Sequence, residues 1–135
     1  MRKMKWMAAF LLLCVLTGCA GKTLPEGMTE EKLLTAGREV LLLAVEGEYE
    51  SVHALLREDV REGVTADQIR ELVLSQTEDA GDYKQIEDSM TTAQTAQGET
   101  FGVAVLYCEY SEDDVLFRIS FDREMQFIGL AVQKQ

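Results

Sequence analysis

The sequence predicts an α+β domain in which three N-terminal helices pack on a curved, mainly four-stranded antiparallel sheet. Apolar residues recur at helical spacing up to Gly81, and after Gly81 the period of the pattern changes to two. The chain has 135 residues, of which 47% are hydrophobic, and this suits one domain with a single core. We therefore expect the helices to come first in the chain and the strands to follow.

Residues 1–18 are predicted to be a cleaved export signal. Basic residues and no acidic residue precede an apolar run over residues 6–16, which is shorter than the roughly 20 residues that a bilayer crossing requires. The run ends at Leu16-Thr17-Gly18-Cys19, which resembles a bacterial lipobox, where the thiol accepts a diacylglyceryl group before cleavage. The resemblance implies lipid attachment at Cys19. An ordinary secretory signal or a buried N-terminal helix is the alternative.

Residues 19–28 are expected to be the lipidated cysteine and a short tether, and residues 29–135 the single domain. Gly21, Pro25 and Gly27 interrupt any regular pattern in the tether. Attached acyl chains would hold the domain at the extracytoplasmic face of a cell membrane. We expect this membrane to be a partner that the chain reaches through its lipid.

The charge balance disfavours some classes of partner. The sequence has 24 acidic and 13 basic residues, so its formal net charge is −11 at pH 7. Nucleic-acid binding is not expected, because it relies on a basic surface that replaces the counterions of phosphate. Cationic partners stay possible, although a solvated acidic surface is the simpler interpretation.

The first two helices are predicted from capping residues and apolar spacing. Thr29 is expected to cap a helix whose first turn is acidic, which suits the helix dipole. Gly47 is expected to end this helix. A second helix is predicted over residues 48–57, and a polar break over residues 58–63. The apolar stripe of the first helix is predicted to contain Leu33, Gly37, Val40, Leu41 and Ala44.

The third helix has the clearest local signature in the chain. Thr65 and Gln68 have the spacing of a capping box, in which each side chain bonds to the backbone of the other residue. Val64 and Ile69 occupy the positions of a hydrophobic staple across this cap. The helix is expected to end at Gly81.

The strands are predicted from the period of two and from β-branched and aromatic residues. The first is the longest and most polar, and it is expected to be bent or broken. Gln97-Gly98 and residues 111–114 are predicted turns. The four strands are predicted over residues 82–97, 100–110, 115–121 and 127–132.

The predicted turn at residues 111–114 also predicts a register, because it would pair Tyr110 with Val115. Counting from that pair gives Cys108–Phe117, Leu106–Ile119 and Ala104–Phe121. These side chains share the face that would meet the helices, so any ligand cavity is expected between this face and the first helix. The candidate pocket-lining residues are Leu106, Cys108, Tyr110, Phe117 and Ile119.

Two segments resemble a known group of proteins. Gly47-Glu48-Tyr49-Glu50-Ser51-Val52 and the last strand, Phe127-Ile128-Gly129-Leu130-Ala131-Val132, resemble a family of small Gram-positive bacterial lipoprotein domains without an assigned function. That family is similar in layout to the cone-shaped fold of nuclear transport factor 2, SnoaL-like cyclases and ketosteroid isomerase. The resemblance implies a cone with a possible pocket. None of the catalytic positions of those enzymes matches here, so no catalytic residue is carried over.

The sequence has few residue patterns of the types that catalyse reactions or bind metals and cofactors. His53 is the single histidine, and the chain has no Gly-rich phosphate loop, no Cys-x-x-Cys and no His-x-x-x-His. Its acidic clusters lack the spacing of a calcium loop. Cys108, the one cysteine of the predicted domain, is expected to be a buried thiol. We therefore predict no catalytic residue, no metal ligand and no cofactor.

Two functions remain open on the sequence alone. The favoured one is a non-catalytic, membrane-tethered module that binds a protein partner or a small apolar ligand. The alternative is a small isomerase or hydrolase of the same fold. That enzyme would need a buried carboxylate, or His53, to converge with a tyrosine on a cavity.

Overall fold

The computed structural model describes residues 23–135, so the predicted signal peptide at residues 1–18 and the predicted lipid attachment at Cys19 lie outside the described residues. The described helices are α1 (Glu30–Val45), α2 (Tyr49–Leu55), α3 (Glu58–Arg61) and α4 (Ala66–Thr77), with a 3-10 turn at Glu78–Ala80. The strands are β1 (Tyr83–Ala96), β2 (Glu99–Tyr110), β3 (Asp114–Phe121) and β4 (Phe127–Lys134).

The strands form one open antiparallel sheet in the order β1-β2-β3-β4. This arrangement confirms the predicted α+β class, with helices first and an antiparallel meander after them. The core contains the inward side chains of the sheet together with the apolar stripes of α1 and α4. Leu24 and Met28, which belong to the predicted tether, also pack on this core.

Helix α1 lies close to the middle of the sheet. Thr29 caps it as predicted, because the Thr29 hydroxyl accepts a hydrogen bond from the Lys32 amide at 3.1 Å. A Cβ placed on Gly37 would be 2.7 Å from the Cβ of Ala104 in β2. The absence of a side chain at Gly37 therefore allows the helix backbone to approach the strand closely. The predicted stripe of five residues is buried in full.

The predicted helix over residues 48–57 is wrong at its C-terminal end. Helix α2 ends at Leu55, and Leu56 and Arg57 are extended. They lie beside the start of β4, where the Arg57 amide donates to the Phe127 carbonyl at 2.8 Å. The short helix α3 follows, inside the segment that was predicted as a polar break. Pairing with a distant strand decided the end of α2, and local spacing does not carry that information.

The capping box of α4 is confirmed. The Thr65 hydroxyl accepts from the Gln68 amide at 3.1 Å, and the Gln68 side chain accepts from the Thr65 amide at 2.9 Å. The helix passes into the 3-10 turn, and Gly81 ends it with φ of 93°. This value lies in a region that favours glycine.

The predicted pairing of β2 with β3 is wrong by two residues. The Tyr110 amide donates to the Asp113 carbonyl at 3.1 Å, so the loop contains only Ser111 and Glu112. The observed pairs are Cys108–Val115, Leu106–Phe117 and Ala104–Ile119. A shift of two residues keeps every side chain on its predicted face, because the side chains of a strand alternate with period two.

Candidate functional site

A cleft on the described surface has a volume of about 460 Å³ and lies between α1, the α2–α3 connection and the β3–β4 turn. We call it the Arg57 groove. Both its apolar and its charged lining come from segments that are far apart in the sequence. The apolar lining includes Val40, Leu56, Phe121, Met125 and Phe127, and the charged lining includes Glu39, Arg57, Glu58 and Arg61.

The β3–β4 turn that borders the groove is shaped by one buried carboxylate. One oxygen of Asp122 accepts from the amides of Glu124 at 2.9 Å and Gln126 at 2.8 Å. Met125 has φ of 63°, which places its backbone in the left-handed region. The Asp122 side chain therefore holds a turn that carries a bulky apolar residue into the groove lining.

The other oxygen of Asp122 binds Arg57. The Arg57 guanidinium lies 3.0 Å from Asp122, 3.1 Å from Glu99 and 2.7 Å from Asp59. These hydrogen bonds raise the pKa of Arg57 further above its ordinary value, and the bond to Arg57 lowers the pKa of Asp59. Three carboxylates surround one cation, so this cluster carries excess negative charge.

The second arginine of the groove is also engaged by the protein. The Arg61 guanidinium donates to the Leu56 carbonyl at 2.8 Å. In residues 23–135, no ion pair is formed by the Glu39 or Glu58 carboxylates. The groove thus combines apolar side chains with two arginines held by the protein and two acidic groups that a ligand could contact.

His53 is not among the residues that line the groove, and it holds the chain around α3. Its Nε2 atom is 2.7 Å from the Val64 carbonyl and 3.1 Å from the Arg61 carbonyl. Both partners are acceptors, so Nε2 carries the hydrogen and donates it. His53 therefore joins α2 to the segment that leads into α4, and this contact occupies the ring nitrogen that faces the protein.

A smaller cleft, of about 230 Å³, lies at the start of α2 and of α4. It is lined by part of the sequence motif singled out above, Gly47 to Glu50, and by Asp67 and Arg70. Partial burial raises the pKa of Tyr49, and the positive charge of Arg70 opposes that shift. The cleft is small, and it is lined by one tyrosine and by both acidic and basic side chains.

The five candidate pocket-lining residues are in the core, and they line neither cleft. Leu106, Cys108, Phe117 and Ile119 are fully buried, and Tyr110 is 7% exposed. Leu106 and Phe117 are direct cross-strand partners. Their role in binding a ligand stays a prediction.

Two of these residues have altered acidity. Burial raises the pKa of the Cys108 thiol to about 12. Burial likewise raises the pKa of Tyr110, whose ring packs edge-on against Tyr83 with the ring centres 5.6 Å apart. A thiol with this pKa is protonated at neutral pH and is a poor nucleophile.

The Arg57 cluster is the feature that sequence reasoning missed. Arg57 is separated from Glu99 by 42 positions and from Asp122 by 65 positions. No spacing rule links such residues, and in the sequence each of them alone looks the same as an ordinary charged residue on the surface. The folded chain brings them together because Leu56 and Arg57 run beside β4.

Residues 23–135 contain no grouping of three or more His, Cys, Asp or Glu side chains that could hold a metal ion. Within the same residues, no helix has the length and apolar character that a membrane crossing needs.

Comparison with solved structures shows a protein of similar fold. An NMR structure of a protein from Ruminococcus gnavus ATCC 29149 superposes with a TM-score of 0.69 at 22% identity, over 82% of this chain and 96% of that one. Comparison with curated proteins gave no match. A family described as "Protein of unknown function (DUF3887)" matches residues 37–130, from the middle of α1 to β4. With most of the folded domain matched, this chain belongs to the DUF3887 family.

Proposed function

We propose that this chain is a membrane-anchored, extracytoplasmic lipoprotein whose domain, of cone-like layout, is a non-catalytic binding module. Its binding site is the Arg57 groove. The observation that carries this proposal is the groove itself, an open cleft of about 460 Å³ lined by both apolar and charged side chains, among them Glu39 and Glu58. Concave sites with apolar walls and a few polar groups are typical of ligand binding.

The charges of the groove indicate the chemistry of the ligand. Arg57 and Arg61 donate to protein groups, whereas Glu39 and Glu58 form no ion pair among residues 23–135. An apolar ligand that carries a positive charge would contact both the apolar side chains of the cleft and these two carboxylates. The ligand is therefore a small apolar cation, or an apolar side chain beside a basic residue on a protein partner.

Binding is a better interpretation than catalysis, because the groups that an enzyme would use are engaged elsewhere. Asp122 is held by Arg57 and by two backbone amides. His53 donates to backbone carbonyls, and Tyr110 packs in the core away from both clefts. These contacts weigh against the isomerase or hydrolase alternative, which needs a buried carboxylate or His53 to converge with a tyrosine on a cavity. Tyr49 does line the smaller cleft, but the acidic residues beside it there are exposed.

The proposed anchor is supported by the order of residues at the start of the chain. A basic segment, a short apolar run, two small residues and Cys19 follow one another there. The domain is acidic, so an anionic membrane surface would repel it, and acyl chains are the attachment that suits this charge.

The groove is tested with a probe of the stated chemistry, a fluorescent phenylalkylammonium ion titrated into the purified chain. The double variant Glu39→Gln/Glu58→Gln is expected to bind it about tenfold more weakly, because both countercharges are lost. Glu71→Gln, on the exposed side of α4, is the matched control and is expected to bind normally. Equal affinity in the double variant and the original chain would exclude the groove.

The anchor is tested separately, by expressing the full chain in a bacterium fed with an alkyne-bearing fatty acid. We expect the label on the protein and the protein in the membrane fraction. The variant Cys19→Ser should lose the label and leave that fraction, while Cys14→Ser should keep both. A label that survives Cys19→Ser would disprove this attachment site.

A further inference from the structure

The outer edge of β1 has backbone groups that no neighbouring strand uses. β1 is the first strand of the sheet, so only one of its edges pairs with β2. In residues 23–135, no backbone hydrogen bond outside the β1–β2 ladder involves residues 83–96. This edge is a ready template for a further strand.

The β1–β2 turn shows which residues point outward. Gln97 and Gly98 both have positive φ, 52° and 81°, as in a two-residue type I′ hairpin. In such a hairpin the closing pair, Ala96 with Glu99, exchanges both ladder hydrogen bonds. Along an antiparallel ladder, pairs that exchange hydrogen bonds alternate with pairs that do not. In the pairs that do not, the β1 residue directs its N–H and C=O groups away from β2, toward the outer edge. In the regular stretch these residues are Ser89, Thr91, Ala93 and Thr95.

Two side-chain contacts agree with this assignment. The Ser89 amide donates to its neighbour's carboxylate, Asp88 Oδ1, at 2.8 Å, so it is turned away from β2. The Thr95 and Thr100 hydroxyls lie 3.0 Å apart, as expected for a pair without ladder bonds, where side chains are closer.

This part of the edge lacks the devices that usually prevent strand addition. Such devices are bulges, charges and proline. Both register irregularities of β1 lie before Ser89, between Tyr83 and Asp88. Residues 89–96 pair regularly with β2 and contain no charged residue and no proline.

The opposite edge of the sheet is closed at both of its ends. At the start of β4, the Phe127 carbonyl accepts from the Arg57 amide at 2.8 Å. At its end, the Lys134 amide donates to the Gln76 side chain of α4 at 2.9 Å. Strand addition along an uninterrupted edge is therefore available at β1, whereas both ends of β4 are already bonded to the helical half of the chain.

We propose that residues 89–95 of β1 bind an extended segment of another protein as a fifth, antiparallel strand. The segment has an uncharged, β-branched stretch that is followed, toward its C-terminus, by Lys or Arg. It would bind through its backbone, which is the mode known as β-strand addition.

The basic end of the partner follows from the charges at the start of β1. An antiparallel segment would place its C-terminal end beside Glu87 and Asp88. Glu87 and Asp88 are adjacent acidic residues, and the carboxylate of Asp114, together with partial desolvation and Glu109, raises the pKa of Glu87. Lys84 is the one basic residue of β1. A second copy of this chain is a less suitable occupant, because each chain carries a formal net charge of −11.

This inference does not depend on the Arg57 groove, which lies by the β3–β4 turn. The test is fluorescence anisotropy with the purified full chain and a labelled seven-residue peptide of alternating Thr and Val that ends in two Lys residues. We expect saturable binding that weakens as salt is added. Two further peptides carry N-methyl groups on one or the other set of alternate backbone amides. Only one set of amides faces β1, so one of these peptides should lose binding and the other should keep it.

Matched variants at one position locate the peptide. Ala93→Pro removes one outward N–H that the sheet does not use, so the fold is retained, and peptide affinity should fall about tenfold. Ala93→Thr keeps that N–H and should bind as the original chain does. If Ala93→Pro fails to fold, the two N-methylated peptides decide the question.

Three results would overturn the proposal. The first is no binding of the peptide at millimolar concentration. The second is equal binding of both N-methylated peptides. The third is a dimer of the free chain in sedimentation that Ala93→Pro dissociates, which would assign the edge to a second copy.

Discussion

β1 and β4 are the two outer strands of one sheet, yet their outward backbone groups have different partners. The start and end of β4 are bonded to Arg57 and to Gln76, which belong to the helical half of the chain. The outward groups of β1 between Ser89 and Thr95 have no backbone partner in residues 23–135. The helical half of the chain therefore closes the two ends of the β4 edge and leaves the β1 edge available between Ser89 and Thr95.

The comparison also separates the two proposed binding surfaces. The closed β4 edge borders the Arg57 groove, where side chains from several segments would recognise a ligand. The open β1 edge offers backbone groups in a regular row, which would recognise an extended conformation with little dependence on side chains. The following predictions test whether each edge is held as the structure indicates.

The largest effect is expected at the start of β1, where Gly81 has φ of 93°. A Cβ at this position would meet the Ser111 hydroxyl, whose oxygen accepts from the Asp82 amide at 2.9 Å. Gly81→Ala should therefore lower the free energy of unfolding by about 3 kcal/mol, through backbone strain and overlap together. Urea denaturation measures this change.

Gly98→Ala, at the other end of β1, is the matched comparison. Gly98 also has positive φ, at 81°, but a Cβ there would have no atom within 4 Å. Only backbone strain is expected, with a cost of about 1 kcal/mol. Equal losses for the two variants would mean that overlap with the Ser111 hydroxyl adds nothing to the backbone strain at Gly81.

The next effect concerns the closed β4 edge. Arg57→Leu keeps an apolar stem but removes the cation from Asp122, whose side chain is 9% exposed. The loss of a partner for this buried carboxylate should cost about 1–2 kcal/mol of unfolding free energy. Hydrogen exchange of the residue 57 amide should also become faster, because its bond to the Phe127 carbonyl is less well held.

Asp59→Asn is the control for the Arg57 cluster. Asp59 binds the same guanidinium at 2.7 Å, but its side chain is 67% exposed. Exposed ion pairs contribute little, so stability should stay close to that of the original chain. A loss as large as that of Arg57→Leu would show that the whole cluster, and not the pair with Asp122, closes the edge.

The smallest effect at neutral pH is expected under the first half of β1, where Ile86 pairs with Cys108 and Tyr83 with Tyr110. Burial raises the pKa of the Cys108 thiol from 9.0 to about 12 and raises that of Tyr110 as well. Both groups stay protonated in the folded protein at pH values at which they are ionised in the unfolded chain. Stability is therefore unaffected below pH 9 and should fall as the pH rises from 9 toward 12.

Urea denaturation at several pH values measures this alkaline loss. Tyr110→Phe removes one of the two titrating groups and should lose less stability above pH 10 than the original chain. Identical alkaline profiles would show that Tyr110 does not contribute to the loss.

Local chemistry was sufficient to predict the helices and turns that have their own signals. The capping box of Thr65 and Gln68 is present, Gly47 and Gly81 follow helices, and Gln97-Gly98 turns the chain. The last strand was predicted to end at Val132 and extends to Lys134. Such features depend on neighbours within a few residues, so the sequence shows them directly.

Positions that depend on distant partners could not be predicted in this way. Ser111, Asp113 and Asp114 are all good turn formers, so the composition of this segment does not distinguish a two-residue loop from a longer one. The register of β3 was therefore missed by two residues, although the inward face was right. The candidate pocket-lining residues, such as Leu106 and Cys108, were correctly placed on that face, while their role in binding stays untested.

The sequence by itself determined the α+β class, the order of the elements and the inward face of each central strand. These follow from hydrophobic periodicity, which is a local property of the chain. Only the tertiary structure decided that Leu56 and Arg57 leave the helix, that Arg57 meets Asp122 and that β1 keeps an open edge. Those outcomes depend on which segments, far apart in sequence, satisfy one another's hydrogen bonds and charges once the core has formed.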